Sequence, residues 1–239
     1  AQRNPRAIRY APMRGQRHGT SFRVADTRVL VVSDSSFKKE EDDGHAMKGV
    51  FILLVCGGTG KVISDVVHIL DYAARKQQHV TRSTFAAELF SACDGVDHGL
   101  LVTITLHEIE RGCRSAGEAR RLREEGGLAF KMWLCIDAMS VLAAMSAEAV
   151  RAPTEKSLVG HVLWLRELAD RGILTGAAWV DTRDMLSDGL TKGSVDRSLI
   201  DAALAGSWRV QHSPKEWQSA LALRQVSSTA DHGSSATST

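Results

Sequence analysis

Four aliphatic residues, Val29-Leu30-Val31-Val32, run through Ser33 into a lone carboxylate at Asp34. An apolar run this short and unbroken fits a strand buried on both faces better than an alternating surface strand. Asp34 then stands where a central strand leaves the core. A carboxylate at the mouth of a sheet is either a satisfied turn or cap residue, or one member of a site. Other acids that converge on it decide between the two.

The 239 residues suffice for one sizeable core with extensions, and one domain is expected. Hydrophobic residues make up 44% and charged residues 24%. No apolar run approaches the roughly 18 residues that span a bilayer, which predicts a soluble protein without a membrane partner. The start Ala1-Gln2-Arg3 has neither an initiator Met nor an apolar leader, so the chain reads as a fragment or a processed product. Cys56, Cys93, Cys113 and Cys135 lie far apart with no C-x-x-C pair. That spacing argues against a zinc site or a disulfide framework and for reduced thiols in an intracellular setting. Arg3, Arg6, Arg9, Arg14, Arg17, Arg23 and Arg28 precede or open the first strand, opposed by Asp26. This basic arm is either a phosphate-holding extension or a solvated connector.

After Asp34, the stretch Lys38 to Gly44 is charge-dense, and its acids Glu40 to Asp43 read as a solvated loop. A second strand is expected from Gly49 to Cys56 and a third from Val62 to Leu70. Between them Gly57-Gly58-Thr59-Gly60-Lys61 reads as a hairpin turn, because a phosphate loop needs an earlier glycine, a Ser or Thr after the Lys, and a following helix. Ala74 to Thr84 is polar and basic, and a helix capped by Ser83 or Thr84 carries Glu88 one turn in. Glu88 either serves the helix dipole or joins Asp34. Ser115 to Glu125 reads as a short solvated helix with Arg and Glu at i,i+4.

Phe130 to Asp137 repeats the opening theme of an apolar strand that ends in a carboxylate. Helices over Ala138 to Ala149 and Glu155 to Arg171 follow, the second stopped at Gly172. A short strand spans Ile173 to Val180, and Asp181 to Leu190 opens a final helix or turn containing Asp188. Asp184 is the alternative acid there, read as a helix cap. If the fourth strand lies parallel beside the first, Asp34 and Asp137 meet at one sheet edge. Acids crowded together repel unless divalent cations sit between them, and paired hard cations are a device for phosphodiester cleavage. The pattern points to a metal-dependent nuclease.

The segments that carry these acids resemble the ribonuclease H domain of copia-type LTR retrotransposon polyproteins. Ser33-Asp34-Ser35 is similar to that family's S-D-A/S start. Ala74 to Thr84 resembles S-K-K-Q-x-x-V-x-x-S-S, and Ala87-Glu88 stands at the family's A-E dipeptide. Cys135 to Ser140 resembles C-D-N-x-S with one residue more, and Val180 to Lys192 resembles V-P-T-x-D-Q-x-A-D-x-L-T-K. Residues 110–127 look like an insertion. The resemblance implies an α/β, ribonuclease H-like fold: a five-stranded mixed sheet of order 3-2-1-4-5 flanked by helices, with the first strand between the second and fourth and parallel to the fourth. It implies cleavage of the RNA strand of an RNA–DNA hybrid, with Asp34, Glu88, Asp137 and Asp188 binding two Mg2+ ions, or Mn2+ in their place. No His lies within Asp181 to Ser187, so proton transfer falls to water or a carboxylate. Arg75, Lys76 and Arg82 are the expected backbone contacts.

The corresponding division is a basic extension over residues 1–27, a ribonuclease H-like domain over 28–192, an accessory segment over 193–222 packed through Trp208 and Trp217, and a disordered tail over 223–239. The resemblance makes a reverse transcriptase of the same polyprotein a partner, with the isolated chain monomeric and located in a cytoplasmic particle or the nucleus. A catalytically silent, nucleic-acid-binding module of the same fold is the main rival. An integrase would place its Glu after the second Asp, and a nucleotide-binding protein would need a phosphate loop.

Overall fold

In the computed structural model the described residues are 7–10, 24–37, 45–56, 62–63, 65–78, 80–112, 115–149, 155–193, 196–221 and 223. The expected loop at Glu40 to Asp43, the turn at 57–61, Cys113, most of the basic arm and the tail from 224 lie outside them. Among the described residues the strands are β1 (Thr27–Ser36), β2 (Met47–Cys56), β3 (Val67–Lys76), β4 (Lys131–Ile136), β5 (Gly176–Trp179) and β6 (Lys215–Trp217). They form one mixed sheet of order β3-β2-β1-β4-β5-β6. β1 runs parallel to β4, and β4 to β5, whereas the β1–β2, β2–β3 and β5–β6 pairs are antiparallel. The expected α/β architecture and 3-2-1-4-5 order are therefore present, with a sixth strand added.

β1 is buried on both faces, as its composition requires. Val29 and Val31 enter one core with the helices α1 (Thr84–Arg111), α3 (Met139–Ser146) and α4 (Val159–Asp170). Leu30 and Val32 enter the opposite core with Trp208, Met185, Leu186 and the helix α6 (Ser198–Leu204). Helix α1 rides close on β1 because Gly95 and Gly99 face Val31, and a Cβ at Gly99 would stand 2.3 Å from Val31 Cγ2. By length and composition α1 is apolar enough to cross a membrane, contrary to the expectation from apolar runs. Its most apolar window is 56% buried along the sheet, the setting of a core helix. Helix α2 (Ala116–Glu125) buries only Leu122 and carries the expected Arg120–Glu124 pair at 2.8 Å.

Two expectations need correction. The third strand does not run from Val62 to Leu70 but over Val67–Lys76. Val62 and Ile63 are buried outside any strand, and hydrophobicity there marks core filling rather than pairing. The polar end of β3 belongs to an edge strand, where exposed side chains cost nothing, and Arg75 and Lys76 pair in register with Lys48 and Met47. The sheet is not five-stranded, because β6 hydrogen-bonds along β5. Three residues held by backbone bonds leave almost no sequence signature. Trp208 is fully buried and Trp217 packs on the α1 side of the sheet.

Candidate metal centre

Asp34 lies near the end of β1 and Asp137 directly after β4, so the parallel register brings both to one edge. Asp188 opens the one-turn helix α5 (Asp188–Thr191), which packs over that edge opposite Gly49 of β2. Gly49 pairs with Asp34 across the ladder, and a Cβ on it would stand 2.8 Å from Thr191 Cγ2 and 2.9 Å from Leu190 Cβ. The missing side chain is what admits α5. One carboxylate oxygen from each of Asp34, Asp137 and Asp188 lies within 4.8 Å of the others, and this cluster could hold a metal ion.

Glu88 arrives from α1 on the other face of the sheet. Ser83 caps that helix by accepting from the Ala86 N–H at 3.1 Å. Ser91 Oγ donates to the Asp34 carbonyl at 2.8 Å and bonds Ser33 Oγ at 2.9 Å. Gln77 Nε2 donates to the Ala87 carbonyl at 2.7 Å and to Ser35 Oγ at 3.3 Å. These bonds stitch the start of α1 to the end of β1. Glu88 is 7% exposed, and its Oε2 has no hydrogen-bond partner. It stands outside the three-carboxylate group but within electrostatic reach of Asp34 and Asp137.

Burial, followed by repulsion from Asp34 and Asp137, pushes Glu88 up to about 9. Burial also lifts Asp34 to about 6, against a hydrogen bond from Thr191 and the nearby Lys192 charge. Asp137 is raised by burial as well, although Thr182 Oγ1 donates to its Oδ2 at 3.0 Å. Its backbone carbonyl is anchored by Trp179 Nε1 at 2.8 Å. Lys192 Nζ lies 2.5 Å from Asp188 Oδ1 and 4.0 Å from Asp34 Oδ1. Burial works against its charge, but the hydrogen bond to Asp188 and the surrounding acids outweigh it and hold its pKa above the ordinary lysine value.

Four acids from four elements thus reach one sheet edge. An unpartnered buried carboxylate oxygen beside three converging carboxylates fits a hard divalent cation, which binds oxygen ligands. Arg75 and Lys76 stand on exposed β3 and Arg82 in the exposed turn before α1. Arg75 lines a groove of mixed charge with Lys48, Asp94, Asp97, His98 and Arg123. These three cations do not enter the acid cluster.

Gly49, Thr182, Trp179 and the pair Thr191-Lys192 escaped the reading of the sequence. Thr191 and Lys192 stood inside a recognised motif but carried no assigned role, and nothing local marks Gly49. Asp184 does not cap α5, where Ser187 holds the N-terminal position without a side-chain capping bond. Its buried carboxylate accepts from the N–H groups of Gln211 and His212 at 3.0 and 2.8 Å and meets His212 Nδ1 at 2.9 Å. A histidine absent from Asp181 to Ser187 therefore comes to that segment from the C-terminal side.

No protein-family model matches this sequence, and no curated protein matches it. Among solved structures, the chain is similar to the N-terminal RNase H domain of rv2228c from Mycobacterium tuberculosis, solved as a fusion with maltose-binding protein. The identity is 14% over 75% of this chain and 99% of that one, with a TM-score of 0.40. It is also similar to LC11-RNase H1, isolated from compost by a metagenomic approach, at 11% identity over 72% of this chain and 98% of that one, with a TM-score of 0.39.

Proposed function

We propose that this chain is a metal-dependent endonuclease of the ribonuclease H type, which hydrolyses the RNA strand of RNA–DNA hybrids. The observation that carries the reading is the convergence of Asp34, Asp137 and Asp188 within 4.8 Å, with the orphaned Glu88 oxygen beside them. Asp34, Glu88, Asp137 and Asp188 are the residues to hold two Mg2+ ions, or Mn2+ instead. Divalent ions in such a site supply water activation and stabilise the leaving 3′ oxygen. Thr182 and Trp179 fix Asp137, Thr191 fixes Asp34, and the Ser91 and Gln77 bonds hold α1 so that Glu88 faces the same space. Arg75, Lys76 and Arg82 contact the hybrid backbone, and affinity falls with salt accordingly. The motif resemblance supports a polyprotein context with a reverse transcriptase as partner.

A second reading, a catalytically silent binding module, is favoured by one observation: Lys192 already neutralises part of the cluster. Cleavage of a labelled hybrid in Mg2+ separates the two. Wild type is expected to cut, and Asp137→Asn to lose on the order of a thousandfold or more in rate. No cleavage by wild type, or cleavage unchanged in the variant, would sink the nuclease assignment.

A further inference from the structure

The acid cluster carries a cation of its own. Lys192 directly follows α5, one helical turn beyond Asp188, and its backbone N–H donates to the Asp188 carbonyl at 2.9 Å. That turn aims the side chain back along the helix, where Nζ meets Asp188 Oδ1 at 2.5 Å and comes within 4.0 Å of Asp34 Oδ1. An ordinary i,i+4 ion pair lies on a solvated helix face and contributes little to stability. This pair lies over carboxylates that are 9% and 1% exposed, while the lysine side chain itself is 34% exposed. The ammonium thus covers the buried oxygens from the solvent side. It draws on the same lone pairs that a hard divalent cation needs, and its flexible four-carbon stem allows it to leave.

We propose that Lys192 is an exchangeable internal counter-ion: its ammonium holds Asp188 and Asp34 together in the metal-free chain and yields those oxygens when a divalent cation binds. The inference rests on the metal-centre reading above. Without Lys192 the metal-free carboxylates repel one another and the chain loses stability, while an incoming cation no longer competes with a resident charge. Metal affinity and metal-free stability therefore move in opposite directions when this one side chain is neutralised. A lysine that merely braced α5 would not couple the two.

The test uses the full chain, stripped with chelator and titrated with Mn2+ by calorimetry. Lys192→Met is expected to bind Mn2+ about tenfold more tightly than wild type, as removal of a unit charge beside the site implies. Lys192→Arg, which keeps the charge, should stay within about threefold of wild type on the same electrostatic grounds. In chelator, Lys192→Met should unfold at a lower temperature than wild type, and saturating Mn2+ should narrow the gap. A readout on the unmodified side chain covers the case in which Lys192→Met does not fold. The ammonium NMR signal of Lys192, assigned by its loss in Lys192→Arg, should shift on addition of Mg2+. Equal or weaker Mn2+ binding by Lys192→Met, or a Lys192 signal that stays fixed while metal binds, overturns the counter-ion and leaves the metal centre standing. Absence of Mn2+ binding in wild type and all variants overturns both.

Discussion

Glu88 and Asp188 reach the same sheet edge from opposite faces, and they arrive in different electrostatic company. Glu88 comes on α1, which is drawn close to β1 by Gly95 and Gly99, and its carboxyl meets burial and like charge. Asp188 comes on α5, admitted by Gly49, and brings Lys192 on the next turn. One acid is left needing a proton or a cation, and the other carries its cation with it. The lesson is that a cluster of like charges is assembled unevenly. Part of the repulsion is neutralised within the chain by Lys192, and part is not.

The strongest way to break this comparison is to close the gap on the α5 side. Gly49→Val should push α5 off the ladder and reduce hybrid cleavage by about a hundredfold, the usual consequence of a misplacement near 1 Å. Circular dichroism should remain native-like, because α1 and its core are untouched. Full activity with a retained fold would show that Asp188 does not depend on that approach.

The Glu88 side predicts a pH effect instead. Its ordinary value is 4.5 and its folded value about 9. A raised folded pKa stabilises below 4.5, and that contribution is lost as pH rises towards 9. Metal-free wild type should therefore lose stability across this window, by at most about 1.4 kcal/mol per pH unit from this group. Glu88→Gln should flatten the slope, as should saturating Mg2+ in wild type, since a bound cation reverses the preference for the protonated form. Urea denaturation at several pH values checks both, and an unchanged slope in Glu88→Gln would remove the asymmetry between the two acids. The smallest effect is expected at Gly99→Ala, where an added methyl meets Val31 in a packed core. A loss of about 1–3 kcal/mol, read by urea denaturation, is the expected cost of overpacking.

The residues that announced themselves in the sequence were those whose environment is written locally. β1 and β4 are apolar runs ending in carboxylates, Ser83 caps α1, and Arg120 meets Glu124 one turn away. What escaped depends on partners distant along the chain. Gly49 matters because of Thr191 and Leu190, Asp184 because of Gln211 and His212, and β6 because β5 offers it a free edge. β3 differs for another reason: Tyr72 to Lys76 at its edge are exposed or half-buried throughout, so neither face writes a hydrophobic alternation there.

The tether at Asp184 also sets an order of events during synthesis. Its carbonyl accepts from Trp208 Nε1, and its carboxylate gathers the Gln211 and His212 backbone N–H groups. A ribosome that has released residue 192 has delivered all four acids but none of these three anchors. The loop between β5 and α5 is by then held by Thr182 on Asp137 and Thr191 on Asp34, but it lacks its anchors at Asp184 until about twenty more residues emerge. The acids are thus in the chain before their frame is complete, and the nascent protein acquires its finished site only after its last acid has been made.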